Sequence, residues 1–254
     1  MADKGMDVSG LLHGAAETGL CGALDIGILP DDTERRTELT AEFPWIRHSA
    51  GIYPGASGMQ EKEDDTSAGG IEALLSLLEK RLRTGLFSAV GEMGIDLHWN
   101  YATPEIQADL FCRQIELANS YRLPVIIHSR KADREVLRVL RRCRPEYGGI
   151  MHCFSSGYET AKSCINAGLY VSFAGNCTYK NAEEIQNAAR NVPLDMMLVE
   201  TDAPYLSPQP VRGKKNHPGF IKHTYTFLAG LRSMEFEVLM ERVTENYFRL
   251  FPTG

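Results

Sequence analysis

No stretch of this 254-residue chain is apolar enough, for long enough, to cross a bilayer. Its first residues, MADKGMDVSG, have neither a basic region nor an apolar core, so no secretory signal is expected and the protein is placed in the cytoplasm, away from membranes. Positive charge is not in excess: 33 acidic residues face 27 basic ones, a net charge of −6. That balance excludes a general affinity for nucleic acid through charge alone. The six cysteines (21, 112, 143, 153, 164 and 177) form no CxxC pair and no dense framework, and they are expected as reduced thiols. A GxGxxG turn is missing too, and Gly91 and Gly94 around Glu92 are too weak a pattern to stand for one. No linker, low-complexity segment or long repeat divides the chain, so 1–254 is expected to be one domain. Nothing in it marks an obligate protein partner.

What the chain does have is a repeated placement of chemistry. Glu92, His128, His152 and Asp202 each close a short apolar run: FSAVGE, PVIIH, GGIMH and MMLVETD. Runs of that length, bounded by turn residues, read as buried parallel strands. Each is followed by a helical pattern. Four residues of metal-ligand type thus occupy equivalent places at four strand ends, which in a (β/α)8 barrel line one mouth. Two carboxylates with two imidazoles are the donor set of a divalent-metal hydrolase. Singly, each is as readily a polar strand-end residue with a local hydrogen bond; the coincidence of four favours the site.

Helix and strand signals alternate throughout. Val8, Leu11, Leu12, Ala15 and Ala16 give a first helix, stopped at Gly19. Strands are expected at 21–28, 45–52, 86–92, 124–128, 149–153, 169–174 and 196–200. Between them lie helices near 31–43, 71–82, 104–117, 132–143, 158–167 and 181–191. Thr103 and Pro104 read as the cap and first position of the fourth helix, whose buried face is expected to be Ile106, Leu110 and Leu117. A polar loop spans about 54–69, and two helices close the chain near residue 250. This alternation is an α/β fold with a parallel sheet, a (β/α)8 TIM-type barrel. Seven strands are found and not eight, because the first element is a helix with no strand before it. The expectation is therefore a barrel lacking its first strand, with unpaired edges at 21–28 and 196–200.

Charge is unevenly spread. Residues 1–70 hold 13 acidic and 5 basic residues, and the remainder 20 and 22. Two basic clusters, Ser129-Arg130-Lys131 and Arg212-Gly213-Lys214-Lys215, follow candidate ligand strands. They read either as solvated loop charge or as a small phosphate-contacting rim. Arg130, two residues past His128, could fork onto a phosphate or pair with a neighbouring acid. Cys153 follows His152 directly and, on a strand, would point to the opposite face, away from any metal. His98 is a substrate contact or a surface histidine. Asp25 and Asp96 read as structural, and Phe43 and Trp45 as packing beside Pro44.

The segments GEMGID (91–96), IIHSR (126–130), MHCFSSG (151–157) and ETDAPYLSP (200–208) together resemble the signatures of the TatD-type metal-dependent deoxyribonucleases. RGKKN (212–216) is similar to the basic segment that follows in that family, and the likeness runs from about residue 8 to 250. It implies an amidohydrolase-type barrel that hydrolyses phosphodiester bonds of DNA, a nuclease acting on single-stranded ends. Carried over residue by residue, Glu92, His128, His152 and Asp202 match its metal ligands. Asp202 also matches the group that orients or deprotonates the attacking water, and Glu92 joins it as a catalytic residue. Arg130, Arg212, Lys214 and Asn216 are the expected substrate contacts. The implied cofactor is a divalent metal ion, with Mg, Mn and Zn all compatible with mixed nitrogen and oxygen ligands.

Two departures stand out. Family members begin with a strand carrying Asp-x-His-x-His-Leu, whose histidines hold a second ion, and nothing of that kind occurs here. The simplest reading places Met1 in the loop after that strand, with about ten residues preceding it in the natural protein; natural loss of the strand is the alternative. Tyr53, in SAGIYPG (49–55), stands where the family has a histidine. Two alternatives follow: a catalytically impaired single-metal barrel protein, or an amidohydrolase acting on a small ester or amide.

Overall fold

Buried apolar runs become parallel strands, and amphipathic runs become the helices that cover them. The computed structural model describes residues 1–56 and 70–252. In chain order the elements are α1 (Val8–Glu17), β1 (Ala23–Asp25), α2 (Thr33–Leu39), β2 (Ile46–Ala50), α3 (Gly70–Leu82), β3 (Ala89–Asp96), α4 (Pro104–Ser120), β4 (Val125–Arg130), α5 (Asp133–Arg142), β5 (Gly149–Met151), α6 (Tyr158–Asn166), β6 (Leu169–Phe173), α7 (Glu183–Asn191), β7 (Met197–Val199), α8 (Ile221–Leu231) and α9 (Phe236–Leu250). Every element expected from the sequence is present among the described residues. The polar loop at 54–69 lies, from residue 57 on, outside them. By contacts the chain forms two compact units: a middle unit, Leu24–Met151, and a terminal unit, Met1–Ala23 with His152–Gly254.

In the middle unit the strands neighbour one another in the order β2, β3, β4, β5, all parallel. All eight residues of β3 are buried, as expected of a strand covered on both faces. The strand is longer than its apolar run implies: it continues through Met93, Gly94 and Ile95 to Asp96. Glu92 therefore lies within the strand, not beyond it. The register against β4 shifts between Val90 and Met93, an irregularity of the kind that re-aims a side chain. The neighbouring backbones also crowd here. A Cβ on Gly51 would meet the Gly91 carbonyl carbon at 2.4 Å, so that position requires glycine.

Helix α4 shows why sequence patterns underdetermine a buried face. Thr103 caps it, its Oγ1 accepting from the Ile106 amide at 3.4 Å, and Pro104 follows as expected. Its buried residues include Leu110, Phe111 and Ile115, but also Gln107 and Gln114. Ile106 and Leu117, expected to be buried, are only partly so. The two glutamines lie two turns apart and each clamps backbone. Gln114 Nε2 donates to the Ile52 carbonyl (2.9 Å) while its Oε1 accepts from the Ile52 amide (2.7 Å). Gln107 does the same at the end of β3, accepting from the Asp96 amide (2.9 Å) and donating to the Asp96 carbonyl (3.2 Å). Buried amides of this kind are stable only when fully paired.

One expectation fails in this unit. Cys112 of α4 and Cys143, which ends α5, are joined as a disulfide, with Cα atoms 5.6 Å apart. Their separation of 31 residues hid the pair from any spacing rule. The other four cysteines are not in disulfides.

In the terminal unit β6 and β7 pair in parallel. Leu169, Val171, Phe173 and Met197 are fully buried, with Leu228 of α8 and Leu239 of α9. Asn246 of α9 donates to the carbonyls of Leu194 and Met197, both at 2.8 Å, which fixes the start of β7. Asp7 caps α1 by accepting from the Gly10 amide at 3.1 Å. No described helix is long and apolar enough to cross a membrane.

Candidate functional site

The middle unit holds Glu92 and His128 face to face. His128 Nδ1 lies 2.8 Å from Glu92 Oε1. Its other ring nitrogen, Nε2, lies 3.2 Å from Asp96 Oδ2. Asp96 has no solvent exposure. Burial alone would raise its pKa, but hydrogen bonds from His128, the His98 amide and Tyr53 outweigh that and hold it at about 2. An ionised Asp96 accepts a hydrogen bond from Nε2–H, which leaves the Nδ1 lone pair directed at Glu92. Two lone pairs at that distance repel unless a proton or a cation relieves them. The arrangement is that of a ligand imidazole oriented by a carboxylate behind it.

The terminal unit repeats the arrangement with different residues. His152 Nδ1 lies 3.2 Å from Glu200 Oε1, which also accepts from the Cys153 amide at 3.1 Å. His152, Glu200 and Asp202 each offer a donor atom within 4.8 Å of the others. Asp202 sits at φ 54, in the left-handed region. Its loop is held by Asn216, whose Nδ2 donates to the carbonyls of Thr201 (2.7 Å) and Tyr205 (2.5 Å).

Several sequence expectations change here. Asn216, expected as a substrate contact, has no solvent exposure and its Oδ1 accepts from the His217 amide, so it is a clamp on the Asp202 loop. Cys153, expected to face away, has its Sγ 3.6 Å from Asp202 Oδ2. The reason is that β5 ends at Met151 and Cys153 takes φ 47, so strand alternation no longer applies. Asp96 and Glu200 were missed as orienting groups. Asp96 closes GEMGID and Glu200 opens ETDAPYLSP, but nothing in spacing tells which carboxylate is ligand and which is support. Asp25 is structural as expected: it accepts from Arg36 Nη1 (2.6 Å) and faces His48 Nδ1 (3.1 Å).

Of the remaining basic candidates, Arg130 ends β4 and is exposed, with its guanidinium 5.8 Å from the centre of the Trp99 ring. Arg212 lies over Tyr179 at 4.2 Å, and both Arg212 and Lys214 are exposed. Tyr53 donates its hydroxyl to Asp96 Oδ2 at 3.0 Å, and burial together with that carboxylate pushes its pKa up. It shares Asp96 with His128 and meets its ring edge-on. Glu92 with His128 in the middle unit, and His152 with Glu200 and Asp202 in the terminal unit, are each mixed nitrogen and oxygen donor groups of the kind that suits a divalent cation.

The chain is similar to several known proteins. A family described as TatD related DNase matches residues 2–252. An uncharacterized metal-dependent hydrolase of Bacillus subtilis, YabD, is 43% identical over 218 residues, 85% of this chain and 82% of its own. The metal-dependent hydrolase TatD of Mycobacterium tuberculosis, also described as uncharacterized, is 33% identical over 252 residues, 97% of this chain and 92% of its own. Among solved structures, the TatD homologue YjjV of Escherichia coli matches with a TM-score of 0.86 and 26% identity, over 98% of this chain and 93% of that one. The fold is thus the (β/α) barrel class expected from the alternation of strands and helices.

Proposed function

The chain belongs to the TatD-related DNase family and is a metal-dependent hydrolase, and from that premise we propose that the bond it breaks is a phosphodiester of DNA, at single-stranded ends. One observation carries the reading most: His128 stands between Glu92 at 2.8 Å and Asp96 at 3.2 Å, one carboxylate on its ligand side and one behind it. Glu92, His128, His152 and Asp202 are the proposed metal ligands.

A divalent cation, when bound, supplies Lewis-acid charge to the phosphate and acidifies water. The chain's own residues supply the rest. Asp96 and Glu200 fix the tautomers of His128 and His152, so that each imidazole presents a lone pair and adds no charge of its own. Glu92 offers two oxygens from a position that is almost fully buried, 9% exposed, where it keeps its geometry as substrate arrives. Asp202 orients the attacking water and takes its proton. The Asn216 clamp on both sides of Asp202 holds that carboxylate in place. Arg130, Arg212 and Lys214 are exposed cations able to hold phosphate oxygens, the arginines by two parallel hydrogen bonds.

The test is hydrolysis of a single-stranded oligonucleotide by the purified protein with Mg, Mn or Zn added in turn. Hydrolysis that stops in EDTA, and that falls at least about a hundredfold in kcat with Asp202→Asn, is expected. Hydrolysis indifferent to EDTA, or none with any cation, would overturn the proposal.

A further inference from the structure

Beside the candidate ligands of the middle unit stands a side chain that neither packing nor the proposed chemistry uses. Trp99, in the loop after β3, is 52% exposed. Aromatic surface of this ring is therefore open to a ligand. This ring is held in place, not loose. Arg130 lies over it at 5.8 Å and His98 meets it edge-on at 4.7 Å. The backbone beneath is pinned by Asp96, whose Oδ1 accepts from the amides of His98 (2.8 Å) and Trp99 (3.3 Å). The other oxygen of the same carboxylate faces His128. One buried carboxylate therefore sets both the candidate ligand and the exposed ring. The Leu97 amide also donates to the Arg130 carbonyl at 2.9 Å, which ties the loop to the end of β4. A shallow cleft of about 380 Å³ runs along the loop, lined by His98, Trp99, Asn100, Thr103 and Pro104 among others.

We infer that Trp99, with Arg130 and His98, is a stacking platform for a nucleobase of single-stranded DNA next to the scissile phosphate. The inference deepens the nuclease reading above and rests on it. An aromatic face with an arginine beside it is the pairing used to bind single strands: the ring stacks on a base and the cation answers the neighbouring phosphate. Every base has a π-face, so the platform accepts any sequence but requires an unpaired base. Duplex DNA, whose bases stack on each other, cannot use it. The platform also supplies what the acidic chain lacks, an affinity for nucleic acid that does not depend on overall charge.

Fluorescence reads it directly, because the chain has only two tryptophans. Trp45 is partly buried and packs edge-on against Phe43 at 5.8 Å. Oligothymidylate is titrated into the full chain in EDTA, where metal-dependent hydrolysis does not run. Stacking on Trp99 is expected to quench on the order of a third to a half of the emission. Trp45→Phe keeps that quenching and Trp99→Phe abolishes it. With metal restored, Trp99→Ala is expected to raise KM for single-stranded DNA about tenfold, the loss falling on KM and not on kcat. Circular dichroism confirms that the variants fold. Equal quenching by inorganic polyphosphate would overturn the platform, because charge alone would then explain it. So would unquenched Trp99 in a protein that hydrolyses DNA, a result that leaves the nuclease reading intact. Quenching without any hydrolysis would keep the platform and remove the nuclease reading, and neither quenching nor hydrolysis would remove both.

Discussion

Replacing Asp96 by asparagine isolates one contact of the candidate site while keeping its shape. Asp96 Oδ1 accepts from two loop amides, and an asparagine oxygen can do the same. At Oδ2 the change is chemical: an NH2 group would face the Tyr53 hydroxyl and His128 Nε2. Tyr53 can rotate its proton and accept. His128 can accept only by moving its own proton to Nδ1, the nitrogen that faces Glu92. The variant thus holds the imidazole in the tautomer that cannot ligate. Loss of an orienting partner of this kind weakens metal binding about 10- to 100-fold, or about 1.4–2.7 kcal/mol. Acid stability gives a second reading of the same contact. The folded pKa is depressed from 3.8 to about 2. A depressed pKa stabilises the fold above the unfolded value, so the contribution is complete above about pH 4 and disappears as the pH falls through about 2. Its size is about 2 kcal/mol. Calorimetric titration with Mn(II) at neutral pH, with urea unfolding at pH 7 and near pH 2.5, measures both. Asp96→Asn is expected to bind the ion more weakly and to lose less stability in acid than the parent. Unchanged Mn(II) affinity would refute the tautomer argument.

The other expectations concern separate contacts. Glu200→Ala removes the acceptor that fixes His152 Nδ1, and a fall of about tenfold or more in metal affinity by the same titration is expected. Gln114→Ala leaves the Ile52 amide and carbonyl buried and unpaired, so urea unfolding should show a loss of about 2–4 kcal/mol. In denaturing urea without reductant, alkylation should label four cysteines, with Cys112 and Cys143 reacting only after reduction. Opening that 31-residue link is expected to lower stability by about 3.7 kcal/mol in the chain-entropy account.

The sequence made the β/α alternation legible because buried parallel strands are written as unbroken apolar runs between turn residues. It made the four candidate ligands legible because each closes such a run. The length of β3 was hidden: Gly94 interrupts the apolar pattern, although the backbone there continues to pair with β4 at His128. Cys153 was misread because alternation was carried past the end of β5, where a positive φ turns the side chain toward Asp202. Asn216 was read as a substrate contact from the likeness of RGKKN to the family's basic segment, yet its amide belongs to the backbone of its own loop. Asp96 and Glu200 escaped because a supporting carboxylate has the same letter as a ligand, and only its distance to an imidazole tells the two apart. Gln107 and Gln114 escaped for a related reason: a glutamine inside a helix reads as solvent-facing until the backbone it clamps is known.

The most direct measurement is anomalous diffraction from crystals grown with Mn(II). The account predicts manganese within coordination distance of the side chains of Glu92 and His128 and of His152 and Asp202, with Asp96 and Glu200 hydrogen-bonded behind the two imidazoles. Manganese absent from these side chains in crystals of protein that hydrolyses DNA would contradict it.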